Sequence, residues 1–167
     1  DIAAWTRTAF PRSDLAFQLS LIDAKGLFRG SNIDPAGRGI DLSDREHFKV
    51  HVDTGRDALF ISRPIVGRVS GKPSVNISRR IVRPDGAFAG VAVASIDPNI
   101  LSKFYDTIDI GRLGAVTLFG TDGVVRARSG MSEIPLGTAI SPRGRLLDEL
   151  KIAPAGTYAN AGGLDTV

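Results

Sequence analysis

The chain has 167 residues, is 43% hydrophobic and 23% charged, and carries a formal charge of +3 with no cysteine. Such values describe a folded globular protein and exclude a disordered chain, a disulfide scaffold, a thiolate metal site and a cysteine nucleophile. The longest nearly apolar run, Ala87 to Ile96, is too short to span a bilayer, and no segment reads as a signal peptide.

In chain order, Asp1 to Phe10 is compatible with the end of a helix, which Pro11 closes. Ala16 to Ile22 and Leu27 to Arg29 read as short strands around an Asp-Ala-Lys-Gly turn. Ser31 to Asp41, with Pro35, Gly37 and Gly39, is a loop. Ser43 then reads as an N-cap, with Glu46 three residues on to complete a capping box. Ala58 to Val69, Ser74 to Val82 and Ala87 to Ile96 are strand-like, joined by the turn signals Ser-Gly-Lys-Pro and Arg-Pro-Asp-Gly. The unit is therefore β-β-α-β-β-β, an α+β domain with helical cover on one antiparallel sheet. Pro98 to Ile108 suits a connecting helix.

The chain then repeats itself. Leu19 to Arg29 (LSLIDAKGLFR) lines up with Val116 to Arg126 (VTLFGTDGVVR), and the echo continues from Asp41-Leu42-Ser43 to Ala139-Ile140-Ser141 and from Gly55 to Gly156. Two copies are too few for a solenoid, so two similar modules in tandem are expected. After Gly55 the first copy runs through about forty strand-like residues, whereas eleven follow Gly156. The second module is expected to be incomplete, and its end the weaker part.

Few motifs point to chemistry. Arg56 to Arg83 holds seven basic residues and one acidic one, but only Phe60 could stack on a base. A solvated hairpin with outward arginines is favoured over a nucleic-acid surface. Gly67 to Ser74 mimics a phosphate loop, yet its spacing is one residue short and it lies between two strands, so it is a hairpin turn. His47 and His51 share a helix face at a spacing that can hold a transition metal, but no third ligand is evident. On composition alone the pair reads as solvent-facing. No nucleophile elbow or triad is visible, so no catalytic residue and no enzyme activity are expected.

From Asp41-Leu42-Ser43-Asp44-Arg45-Glu46-His47-Phe48, through Leu59 to Arg68 and Ile77 to Arg80, to Asp85 to Val91 and Ala94 to Pro98, the chain resembles a known family. These are the double Cache (PDC) sensor domains of bacterial membrane receptors: histidine kinases, diguanylate cyclases and chemoreceptors. The resemblance implies two PAS-like modules on an N-terminal helix, outside the cytoplasmic membrane. It implies the end of that helix over residues 1–14 and a membrane-distal, ligand-binding module over 15–98. A connecting helix over 99–113 and the start of a membrane-proximal module over 114–167 would follow.

The family's amino-acid-binding branch carries an Arg-x-Trp-Tyr motif at the helix and an Asp on the last strand. Here Arg45 is kept, His47 stands for Trp, Phe48 for Tyr, and Ser95 falls at the Asp position. Arg offers a planar, permanently charged fork for a carboxylate or phosphate. The groups that would pair a ligand ammonium are missing, and a poorly paired amine in a dry pocket is costly. The resemblance thus implies a small anion without an amine, such as an organic carboxylate, with Arg45 as anchor, His47 as hydrogen-bond partner and Phe48 as apolar wall. The candidate set is Arg45, His47, Phe48, His51, Arg63, Asn76, Ser78 and Ser95. Whether Asn76 and Ser78 face the same side as Ser95 depends on strand register. No cofactor is implied, no nucleic-acid partner is expected, the parent protein would be membrane-tethered, and a homodimer is allowed. Two rival readings stand beside this one: a cytoplasmic PAS-like sensor holding a haem or flavin, with His47 or His51 as the haem ligand, and a dimerisation module with no small-molecule site.

Overall fold

The computed structural model describes residues 8, 15–130, 134–139 and 146–157. The expected end of an N-terminal helix over 1–14 lies, Thr8 apart, outside them. The chain divides into two compact units, Asp1–Ile100 and Leu101–Val167.

The first unit is built on β1 (Ala16–Asp23), β2 (Phe28–Ser31), α1 (Glu46–Asp53), β3 (Phe60–Ile61), β4 (Ile65–Val66), β5 (Pro73–Val82) and β6 (Phe88–Ile96). Its sheet is antiparallel, in the order β2-β1-β6-β5-β3, and β4 also pairs with β5. This is the α+β, PAS-like arrangement expected from the sequence. Ala58 to Val69 was expected as one strand and is instead two short ones. Pro64 has no N–H to give the ladder, so pairing stops there. Ser62 bridges the gap: its N–H donates to the Asn76 carbonyl at 2.8 Å, and its Oγ accepts from the Asn76 N–H at 2.9 Å.

The helix start also differs from expectation. Asp41 Oδ1 takes the Ser43 N–H at 2.8 Å and the Arg45 N–H donates to the Leu42 carbonyl at 3.0 Å. This turn displaces the N-cap to Arg45, which is extended (φ −76°, ψ 139°) and makes no side-chain cap, so the Ser43–Glu46 capping box does not form. Glu46 still sits in the first turn, where negative charge meets the positive end of the helix.

The covered face of the sheet has two characters. At one end Ile22, Phe28, Leu42, Phe48, Val91 and Val93 form the apolar core, with Phe28 and Val91 fully buried. Burying a side chain of this size stabilises by about 1.5–3 kcal/mol. At the other end the register sets Gln18, Ser95 and Asn76 in one row across β1, β6 and β5, followed by Ser20, Val93 and Ser78. All of these are buried. The alternation in β1 therefore runs opposite to the usual reading, because Phe17, Leu19 and Leu21 take the half-buried face.

The second unit contains β7 (Ala115–Phe119), β8 (Val125–Gly130) and α3 (Leu146–Ile152); α2 (Pro98–Tyr105) precedes it across the division. The sequence repeat is also a repeat of hydrogen bonds. Asp23 N–H to Leu27 O (2.9 Å) and Phe28 N–H to Ile40 O (2.9 Å) recur as Gly120 N–H to Val124 O (3.0 Å) and Val125 N–H to Thr138 O (2.9 Å). The bridge Leu27–Asp41 recurs as Val124–Ala139. Both hairpins carry an irregularity at the same place, after Leu21 and after Leu118. Ile140 and Ser141, part of the second echo, lie outside the described residues. No described helix is long and apolar enough to cross a membrane.

Candidate ligand site

Between the polar end of the sheet and the start of α1 lies a cavity of about 30 Å³, room for roughly two water molecules. Gln18, Ser20, Val93, Ser95 and Asn76 make its floor, Leu42, Arg45 and His47 one wall, and Ile65 with Gly67 to Ser70 its cover. The lining contains two arginines and no Asp or Glu. A wider groove of about 600 Å³ lies in the second unit along Tyr105 to Arg112, Gly114, Ser129 and Gly130. It is open, and its Asp106, Asp109 and Arg112 are exposed. The smaller cavity is the one where buried polar groups converge, as they do in a specific site.

The floor is partly self-satisfied. Ser95 Oγ donates to Asn76 Oδ1 at 2.8 Å, and Gln18 Nε2 donates to Ser31 Oγ at 3.2 Å. Ser31 Oγ in turn accepts the Asp34 N–H at 3.0 Å, which fixes the β2 end. The direct Asn76–Ser95 pairing settles the register question: both face the cavity.

Arg45 is half-buried, and its side chain's one hydrogen bond among the described residues runs from Nη2 to the Val66 carbonyl at 3.1 Å. It makes no ion pair among the described residues. Arg68 reaches the opposite way, from the cover to the helix side. It donates to Asp44 through both Nη1 (2.9 Å) and Nη2 (2.8 Å), and to the Asp41 carbonyl. The two arginines thus clasp the cover to the start of α1. Arg68's bond holds the Asp44 carboxyl below its ordinary range.

His47 is only 6% exposed, and its buried Nδ1 has no hydrogen-bond partner among the described residues. Burial first, then the nearby charges of Arg45 and His51, pull its pKa down to about 4. It is therefore neutral at pH 7. His51 is also buried, with Nε2 2.9 Å from Ser78 Oγ and the ring edge-on to Phe60. Burial, then Arg80, lowers its pKa as well. The solvent-facing reading of the histidine pair is thus corrected. The buried stripe of α1 is His47, Phe48 and His51, because the sheet beneath offers polar partners as well as apolar ones.

Of the residues expected at the site, Arg45, His47, Asn76 and Ser95 line the cavity. Phe48 lies in the apolar core, tilted against Phe88 at 6.0 Å. His51 and Ser78 pair with each other away from the lining, and Arg63 is exposed on the link between β3 and β4. Sequence reasoning missed Gln18, Ser20 and Arg68. Polar residues at alternate places in an apolar strand were the available signal for the first two. Nothing local marked Arg68. Among the described residues no group of three or more His, Asp or Glu could hold a metal.

No protein-family model and no curated protein matches the chain. Solved structures do. The extracellular domain of the histidine kinase rpHK1S-Z16 matches with a TM-score of 0.79 and 28% identity, over 98% of this chain and 65% of that one. The ligand-binding domain of the Campylobacter jejuni chemoreceptor Tlp3, in complex with 4-methylisoleucine, gives 0.56 at 17% identity, over 76% and 47%. That of the Pseudomonas aeruginosa amino-acid chemoreceptor PctC, in complex with GABA, gives 0.53 at 20% identity, over 67% and 49%. The chain spans less than two thirds of the length of each of these structures.

Proposed function

We propose that this chain, which has the Cache-type fold of extracellular receptor domains, is the extracytoplasmic ligand-sensing part of a membrane signalling receptor. Its first unit would be the membrane-distal module, and the unit beginning after Ile100 the start of a proximal one. The ligand would be a small anion without an ammonium group, an organic carboxylate above all, held in the cavity of the first unit. Structural neighbours with bound amino acids or GABA support a small-molecule ligand carrying a carboxylate. They also disfavour a cytoplasmic haem or flavin sensor, because they are sensory or extracellular domains.

One observation carries the anion reading: among the described residues the half-buried Arg45 side chain has only a carbonyl partner, and it lines a cavity whose lining holds no carboxylate. A carboxylate there exchanges a neutral hydrogen bond for a charge-assisted, two-pronged one. An ammonium group would meet no opposite charge and would be costly to desolvate. The space is small, about 30 Å³, so a ligand entering it would move the cover aside. Arg68–Asp44 is an exposed pair, of the solvent-screened kind that contributes little, and gives a closure that yields easily. As Arg45 leaves Val66 for the ligand, β4 is released from the helix. That difference between the bound and empty states is what a sensor transmits, since only differential affinity shifts an equilibrium. The reading assigns no catalysis to the chain.

The test is a thermal-shift panel of short carboxylates, phosphate, amino acids and amines, in a buffer free of carboxylates. A ligand at a hundred times its Kd adds about 2.7 kcal/mol, several degrees for a domain of this size. Stabilisation by carboxylates and not by amines is expected. Stabilisation by amino acids alone would overturn the anion reading, and silence across the panel would favour a dimerisation module.

A further inference from the structure

We infer that His47 is a specificity-determining residue, which selects short carboxylates bearing a hydroxyl or oxo oxygen beside the carboxyl group over the matching unsubstituted acid. The inference rests on the carboxylate reading above and names the subclass of ligand. Arg45 can satisfy the carboxylate but leaves two facts about the cavity unexplained. The first is His47 itself, 94% buried on the cavity wall with a ring nitrogen that no group among the described residues pairs. A buried polar group left unpaired is a standing cost, and native structures seldom carry one without a reason. The second is the lining, where Ser20, Asn76 and Ser95 are buried polar residues while a bare hydrocarbon chain would want an apolar surface.

Both facts fit a ligand with a second oxygen. Arg45 and His47 lie two residues apart at the start of α1 and line the same space, so a ligand gripped by one at its carboxylate presents its neighbouring carbon to the other. A neutral imidazole can accept from a hydroxyl or donate to an oxo group, which covers both the 2-hydroxy and the 2-oxo acids. Ile22, Leu42, Ile65 and Val69 leave an apolar flank for a methyl or similarly short tail. A site built around such an oxygen discriminates strongly against the analogue that lacks it, because its own polar groups are then left unpaired.

The experiment is calorimetric titration at pH 7 with propanoate, 2-hydroxypropanoate and 2-oxopropanoate, on the unaltered protein and on His47→Phe and His47→Ala. Phe fills the ring's volume should Ala fail to fold, and melting curves check both. The unaltered protein should bind the oxygenated acids about tenfold or more tighter than propanoate. In His47→Phe that ratio should fall towards one. Equal affinity for all three acids in the unaltered protein, or a ratio that survives His47→Phe, overturns the selectivity and leaves the carboxylate reading standing. No binding of any of the three brings down both.

Discussion

Acid should weaken the first unit through His47 before the contributions of Asp41, Asp44 and Asp57 are lost. The imidazole is 6% exposed, and its pKa is lowered from 6.5 to about 4, chiefly by burial. Between those values the unfolded chain holds more protons than the folded one. The stability contributed by a neutral His47 is thus complete above about pH 6.5 and is lost as pH falls through 4. At about 1.36 kcal/mol per pH unit the whole span amounts to about 3 kcal/mol, of which about 2 kcal/mol is gone by pH 4.5. Asp41, Asp44 and Asp57 sit below their ordinary value of 3.8, held there by the Ser43 N–H, Arg68 and Arg79. Their contribution is present above that value and fails only at lower pH, clear of the histidine window. His51 shifts in the same direction as His47, so a variant must isolate the effect. Urea unfolding followed by circular dichroism at pH 7 and pH 4.5, without acetate or citrate, compares the unaltered protein with His47→Gln. The unaltered protein should lose about 2 kcal/mol more than the variant. Equal losses would refute the assignment of the acid sensitivity to His47.

Two further outcomes are expected. Gly26→Ala places a Cβ 2.5 Å from Ser43 Cβ and 2.6 Å from its Cα, at φ +86°. The repeat-equivalent Gly123→Ala, at φ +72°, meets only the flexible end of Leu147 at 3.0 Å. The first should therefore lower Tm clearly more than the second, by a difference exceeding about 1 kcal/mol, since backbone cannot move aside as a side-chain tip can. Ser95→Asp would put a carboxylate on the cavity floor beside Asn76. It should cost about 1–3 kcal/mol without ligand and convert the thermal-shift response from carboxylates towards α-amino acids.

Much of the fold was legible because local rules and global structure agree. The turns at Asp23–Gly26 and Arg83–Gly86, the three long strands and the repeat all follow from residues whose backbone chemistry allows little else. The split at Pro64 was readable in principle, as was the displaced helix start, where Asp41 competes with Ser43 for the same turn. The site was harder. Arg45, His47, Asn76 and Ser95 converge on one cavity, but Gln18 comes from a strand whose pairing with β6 includes an irregularity between Ala16 and Gln18. Register of that kind is a tertiary property, and periodicity cannot supply it. Phe48 and His51 follow from one uncertainty: a helix face shared with His47 reaches both the cavity and the core beneath it, and only packing decides where each side chain ends.

The central claim is that Arg45 anchors a small carboxylate in the first unit. The most direct measurement is calorimetric titration of the most stabilising acid from the panel into the unaltered protein and into Arg45→Ala, with melting curves to confirm that both are folded. Removing one partner of a partly buried charge pair costs about 2–5 kcal/mol, so affinity should fall about thirtyfold or more. Binding that survives Arg45→Ala with its affinity unchanged would place the ligand elsewhere and contradict the account.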